Sequence, residues 1–140
     1  MSRTSGWMNE KDAKGNSLLM LAAQAGDLSV CETLIAAGAD FDMLNSAGAT
    51  ALMLAAIENN DEVCGVLIAA GANIDVQDLE GNTSLMLALR GKNPKAIAAL
   101  MKEGASLDIK NSAGKSAKDL AADTGLTAIL EGHAVLGTTE

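Results

Sequence analysis

Glycine recurs in this chain every 33 residues, and this spacing constrains the fold more than any other feature of the sequence. The first series of glycines is Gly15, Gly48, Gly81 and Gly114. A second series, made of Gly-Ala pairs with the same period, begins at Gly38, Gly71 and Gly104. A period in this range is typical of stacked repeats, in which each unit contacts only its neighbours. Such a solenoid offers a long shared surface, so the sequence predicts a mode of binding without identifying a partner.

Each repeat carries the start and stop signals of two short helices. A hydroxyl residue follows each glycine of the first series by two positions, and its side chain can accept a hydrogen bond from a helix-terminal N–H. These predicted N-caps are Ser17, Thr50, Thr83 and Ser116. The predicted caps of the second helices are Asp27, Asn60 and Asn93, and Pro94 follows at a first helical position. Gly71 is expected to end a second helix in the left-handed conformation, before an extended stretch in which Asp75 and Asp78 form local turns.

Apolar positions repeat at the same spacing, which predicts a core formed between neighbouring units. The predicted core columns are Leu19, Leu52 and Leu85; Leu21, Leu54, Leu87 and Leu120; Ala22, Ala55, Ala88 and Ala121; and Leu34, Leu67 and Leu100. Cys31 and Cys64 lie one repeat apart. Stacked helices are about 8–10 Å apart, whereas a disulfide needs Cα atoms within about 7 Å. We therefore expect two free, buried thiols, and no metal site, because two sulfurs fall short of four ligands.

The residues of each unit resemble those of the ankyrin repeat. Residues 12–23 read DAKGNSLLMLAA, which is similar to the family pattern D-x-x-G-x-T-P-L-H-x-A-A. The resemblance covers residues 9 to 131 and implies an all-α solenoid of stacked helix-turn-helix units joined by β-turn fingers. It places repeats at about 12–44, 45–77 and 78–110, with a truncated capping repeat at 111–131. Residues 1–11 are expected to form an N-terminal cover segment, and residues 132–140 a frayed tail.

Two positions depart from the family pattern. The proline position holds Leu18, Ala51, Ser84 and Ala117, and the histidine position holds Met20, Met53, Met86 and Asp119. Methionine cannot donate a hydrogen bond, so stacking is expected to rely on apolar packing. We predict that the methionine column is a buried spine and that it does not bind a soft metal. With this substitution the chain resembles bacterial or phage members of the family more than animal ones.

Composition argues against several classes of function. The net charge of −8 is unsuited to nucleic acid or an anionic membrane, because both attract clustered Lys and Arg. The longest apolar run, Ala51–Ile57, is too short to span a bilayer, and the N-terminus has no apolar stretch of signal-peptide length. A cytoplasmic location is expected, with delivery into a host cell as the alternative for a bacterial effector.

No catalytic residues, metal site or cofactor are predicted. The one histidine, His133, lies beyond the last repeat, and no Gly-rich phosphate loop is present. Asp42, Asp75 and Asp108 recur at one loop position and are interpreted as turn formers. An enzyme that uses the acids Glu58 and Glu80 is the alternative.

The resemblance implies a binding surface formed by the finger tips and the exposed side of the first helix of each repeat. The residues carried over as partner-binding are Lys14, Gln24, Ser46, Ala49, Ile57, Glu58, Leu79, Glu80, Asn82, Arg90, Ser112 and Lys115. Ile57 and Leu79 place apolar groups near the middle of the array and are the predicted anchors. With Asp123, the charges on this surface balance, so the net charge is expected to lie elsewhere and does not support a basic partner.

The first helix is apolar nearly all round between Leu18 and Ala23, and a terminal repeat needs a polar face or a cover. We predict that Trp7 and Met8 fold over it; the alternative is contact with a second copy or another domain. The sequence thus predicts a monomeric, non-catalytic module that binds an unidentified protein on its concave face. The alternatives are a self-assembling structural protein, as a dimer through the first repeat, and a regulatory or immunity partner of a bacterial enzyme.

Overall fold

The computed structural model of the chain describes residues 7–127 and residue 130. This part of the chain contains a 3-10 turn, Trp7–Asn9, and seven α-helices without a strand. The helices are α1 (Leu18–Ala25), α2 (Leu28–Ala36), α3 (Ala51–Ile57), α4 (Asp61–Ala70), α5 (Ser84–Arg90), α6 (Pro94–Lys102) and α7 (Ala117–Thr124). The predicted all-α solenoid is confirmed.

The helices form two layers. The inner helices α1, α3, α5 and α7 pack against one another in chain order, and the outer helices α2, α4 and α6 do the same. Each outer helix also packs on the inner helix that precedes it. Between an outer helix and the next inner helix the chain makes a non-helical excursion, here called a finger; the four finger tips are residues 12–16, 45–49, 78–82 and 111–115.

The hydroxyl residues start the inner helices as predicted. The backbone N–H of Met20 donates to Ser17 Oγ at 3.3 Å, and that of Met53 donates to Thr50 Oγ1 at 3.2 Å. The third and fourth repeats make the same bond through Thr83 and Ser116. Each side chain thus satisfies one of the N–H groups that a helix start leaves unpaired.

The predicted side-chain cap at Asn60 is wrong. Asp27 and Asn93 cap α2 and α6 through bonds from Val30 N and Ala96 N, whereas Asn60 makes no such bond. Its Nδ2 instead donates to the carbonyls of Ala23 (2.8 Å) and Gln24 (3.0 Å). These carbonyls lie at the end of α1, where acceptors lack partners within the helix, so Asn60 joins the first repeat to the second.

Most predicted core columns are buried. Leu19, Leu52 and Leu85 are at most 1% exposed, and the methionine spine is confirmed because Met20, Met53 and Met86 are equally inaccessible. Cys31 and Cys64 are free and fully buried, as expected. The column that begins at Leu21 differs: Leu21 is 40% exposed and Leu54 is half-buried. The prediction of a core position is therefore wrong for Leu21.

Neighbouring fingers are joined by one backbone hydrogen bond at each junction. Ser46 N donates to Lys14 O (3.0 Å), Leu79 N to Ala47 O (3.0 Å) and Ser112 N to Glu80 O (2.9 Å). The finger glycine makes this approach feasible: a Cβ atom on Gly15 would lie 2.8 Å from Ser46 N, and its φ of +79° disfavours other residues. Gly71 ends α4 with a φ of +99°, as predicted.

Aspartates in the loops after the outer helices form a second link between repeats. Asp42 Oδ1 accepts from Asn73 N, and Asp75 Oδ1 accepts from Ser106 N, both at 3.0 Å. Asp78 forms the predicted local turn through bonds from Glu80 N and Asn82 N. The predicted local turn at Asp75 is wrong, because its carboxylate reaches the next repeat.

The N-terminal segment packs on the first repeat. The 3-10 turn contacts α1, and Met8 is 3% exposed within the main core. The predicted cover is confirmed for Met8, while the side chain of Trp7 lies outside the described residues, as do residues 1–6, His133 and the predicted tail at 132–140.

Paired asparagines link the finger tips at two of the three junctions. Asn45 Nδ2 donates to Asn16 Oδ1, and Asn111 Nδ2 donates to Asn82 Oδ1, both at 2.9 Å. The equivalent residues between the second and third repeats are Ala49 and Asp78, which cannot form this bond. This junction therefore lacks a polar contact that its two neighbours have.

We expect the substitutions Ala49→Asn and Asp78→Asn together to install the missing bond. In Ala49→Asn alone the new side chain faces a carboxylate that cannot donate to it, and in Asp78→Asn alone the amide faces a methyl group, whereas the double variant reproduces the Asn16–Asn45 pair. A double-mutant cycle in urea should give a favourable coupling of about 1 kcal/mol in the free energy of unfolding. A coupling of zero would contradict the assignment of the pair as a stabilising contact.

Candidate partner-binding surface

Ten of the twelve residues predicted to bind a partner are exposed, and two are not. Ala49 is 7% exposed and Asn82 is 2% exposed. Both lie at the finger position whose side chain points into the junction between repeats, where Asn82 accepts the bond from Asn111. The expectation that these two side chains face solvent is therefore wrong, because this position serves the scaffold.

A groove of about 770 Å³ lies between the first two fingers and the inner helices α1 and α3. Leu21 and Leu54 contribute its apolar side chains, and Lys14, Gln24 and Ser46 are among its polar ones. Sequence reasoning assigned the two leucines to the core because they share a column with Leu87, which is buried. The signal that identifies them is helical spacing: Leu21 precedes Gln24 by three residues, so the two share a face of α1.

The second and third repeats each carry a further exposed apolar side chain at a predicted site position. Ile57 in the second repeat is equivalent to Gln24 in the first. Leu79 in the third finger is equivalent to Ser46 in the second. Ile57 is 38% exposed and Leu79 is 75% exposed. The two predicted anchors are therefore exposed apolar side chains on the second and third repeats, as Leu21 is on the first.

Charges on this surface are partly neutralised within the protein. Lys115 Nζ donates to Asp123 Oδ2, and this bond raises the pKa of Lys115 above its ordinary value. Glu58, Glu80 and Arg90 form no ion pair with another described residue. Glu80 and Arg90 instead line a smaller recess of about 250 Å³ beside the last two fingers. Of the charges on this surface that form no ion pair with a described residue, Glu58, Glu80 and Arg90 lie toward the middle of the array and Lys14 lies on the first finger.

The described residues contain no candidate metal site, and their two thiols are buried. They contain no group of three or more His, Cys, Asp or Glu side chains placed to hold a metal ion. Burial raises the pKa of the Cys31 thiol to about 11 and that of Cys64 to about 12, and the carboxylates of Asp27 and Asp61 add to the respective increases. Both sulfurs therefore stay protonated and inert near neutral pH. None of the described helices has the length and apolar character needed to span a bilayer.

We expect both cysteines to resist a thiol reagent in the folded protein at about pH 8, because the reactive thiolate is scarce and buried. Both should react rapidly once the protein is unfolded in guanidinium. A colorimetric thiol assay with and without denaturant measures the difference. Rapid reaction of either thiol in the native state would contradict the burial described above.

The comparisons with known proteins agree with this architecture. The sequence matches the family model for ankyrin repeats in three copies, over residues 6–78 and 52–131. No curated protein matches the chain. Ankyrin repeats are generally protein–protein interaction modules and are typically not catalytic. Because the matched ranges span most of the sequence, the chain belongs to the ankyrin repeat family.

Proposed function

We propose that this chain is a non-catalytic protein–protein interaction module that binds a partner on the concave surface formed by the finger tips and inner helices. The observation that carries the proposal is the row of exposed apolar side chains, Leu21, Ile57 and Leu79, on successive repeats of that surface. Apolar anchors near the centre of a surface and surrounded by polar residues are typical of binding hot spots.

Rigidity of the surface supports the same proposal. Backbone bonds hold each finger to the next, and the inner helices pack on one another along the array. A surface that is ordered before binding loses little conformational entropy when the partner arrives. Affinity then depends on a few well-placed side chains, without folding of a loop.

A cytoplasmic location is part of the proposal. Cys31 and Cys64 are free thiols, and free thiols without disulfides are usual in reducing compartments. Their burial also protects them from oxidation, so the thiols favour this compartment without requiring it.

We expect the double variant Ile57→Asp, Leu79→Asp to lose the partner while remaining folded. In the complex, the variant would bury two charges where the wild type places apolar side chains against the partner. The loss of affinity should exceed about tenfold, as for hot-spot residues. The measurement is a pull-down with quantitative mass spectrometry, with circular dichroism to verify folding.

The matched control is Val30→Asp, Leu44→Asp, which changes two side chains of 37% and 42% exposure in the first repeat, outside the groove lining. This control should capture the same proteins as the wild type. If both double variants capture the wild-type set, the concave surface is not where the partner binds.

Self-assembly through the first repeat is a second candidate function. Leu18, Val30 and Leu44 are between 37% and 42% exposed in this repeat, and apolar groups in one region favour an interface. Under this alternative, light scattering should show a dimer that persists on dilution and dissociates in Leu18→Asp but not in Leu79→Asp. A monomer at all concentrations would exclude it.

A further inference from the structure

Charge is divided unevenly between the two halves of the array. Residues 10–77, up to the end of the second repeat, contain ten acidic and two basic side chains, whereas residues 78–131 contain seven of each. The net charge is therefore −8 in the first half and zero in the second, and all the acids of the first half are at least partly accessible to solvent. The charge of the chain is thus concentrated on the first two repeats.

The apolar groove lies within this acidic half. This half contains two cations. Lys11 Nζ donates a hydrogen bond to the Leu44 carbonyl oxygen. Lys14 lines the groove together with Asp12. One carboxylate oxygen of Asp12 accepts bonds from Lys14 N and Asn16 N. The groove wall is consequently close to neutral, while the two repeats that form it carry a strongly negative net charge.

These two features act at different ranges. Apolar contacts act only at close approach and determine mainly how long a complex lasts. An uncompensated charge of this size acts over about 10 Å at physiological ionic strength, attracting partners of opposite sign and opposing those of like sign. A groove with an apolar wall in an acidic field therefore selects on both properties at once.

From this combination we infer that the partner segment occupying the groove between Leu21 and Leu54 presents a branched apolar side chain on a basic surface. The inference rests on the proposed binding function and names the chemistry of the partner. The apolar side chain packs on the two leucines. The Lys and Arg residues around it are attracted by the acids of the first two repeats, among them Glu58, which follows Ile57 directly at the end of α3.

The probe is a fluorescent amphipathic peptide built from Leu and Lys, with two counterparts in which Leu is replaced by Gln or Lys by Glu. We expect only the Leu/Lys peptide to bind the full chain, with an association rate that falls as salt is added. Binding by the Lys-to-Glu peptide with equal affinity would overturn the charge requirement. Equal binding of the Leu-to-Gln peptide would overturn the apolar requirement.

Leu21→Asp tests the groove, and Leu44→Asp is its control because the two leucines are 40% and 42% exposed in the same half. Burying a leucine side chain in a complex corresponds to at least about a tenfold change in affinity. Leu21→Asp should therefore shorten the lifetime of the complex about tenfold or more, and Leu44→Asp should leave it unchanged. Equal effects of the two variants would overturn the assignment of the groove.

Glu32→Lys and Glu103→Lys separate the position of the charge from the net charge. Both residues are exposed and belong to the outer layer, Glu32 on α2 and Glu103 at the end of α6, and both changes alter the net charge equally. We expect Glu32→Lys to slow association of the Leu/Lys peptide about two- to fivefold, and Glu103→Lys to slow it less. Equal slowing would mean that the charge of the first half has no special role.

A second copy of the chain is the competing occupant, because the seven basic side chains of its second half would also suit the acidic field. Sedimentation equilibrium of the free protein decides: a dimer dispersed by Leu21→Asp would overturn the inference of a separate partner. If none of the peptides binds while capture still depends on Ile57 and Leu79, the inference fails and the proposed function stands. If the peptide result holds and that capture is absent, the proposed surface fails and the groove stands.

Discussion

Close approach of neighbouring fingers is the constraint on which the rest of the structure depends. One backbone hydrogen bond joins each finger to the next, and the geometry leaves no room for a Cβ atom at Gly15 or Gly81, where it would lie 2.8 Å from the following finger. Because the fingers cannot separate without losing these bonds, the inner helices below them stay in register. The glycines of the first series reflect this contact at Gly15, Gly48 and Gly81, whereas Gly114, in the last finger, is required only by its positive φ.

The same constraint gives neighbouring positions of a finger different structural roles. Residues that point into a junction, such as Ala49 and Asn82, are buried and hold repeats together. Residues two or three positions away, such as Glu80 and Leu79, face solvent and are free to vary. Within one finger, some residues therefore hold the repeats together while residues beside them form the exposed surface. The exposed residues can be substituted without loss of the fold.

The sequence predicted what depends on local chemistry and failed where a side chain reaches another repeat. Hydroxyl caps and left-handed glycines act within a few residues, so their positions could be identified from the sequence alone. Asn60 looks like a cap but bonds to carbonyls of α1, and Asp75 looks like a turn former but bonds to Ser106. Leu21 shares a column with buried Leu87, yet its exposure depends on what packs around α1. The repeat pattern contains only what the repeats share. It therefore predicts the fold well and predicts poorly the groove, which depends on residues that differ between repeats.

The junction between the second and third repeats shows how the scaffold tolerates departures from its own pattern. It lacks the asparagine pair of its neighbours, and Asn93 Nδ2 has no hydrogen-bond partner among the described residues. An apolar cluster lies at this junction instead. It consists of Ala49, Met53 and Leu87, with Leu54 and Val76 packed against it. Apolar burial is non-directional, so it can replace polar links without fixing the positions of particular atoms. The net charge of the array also changes here, and this junction therefore separates a groove-bearing acidic half from a half without net charge while the stack stays continuous.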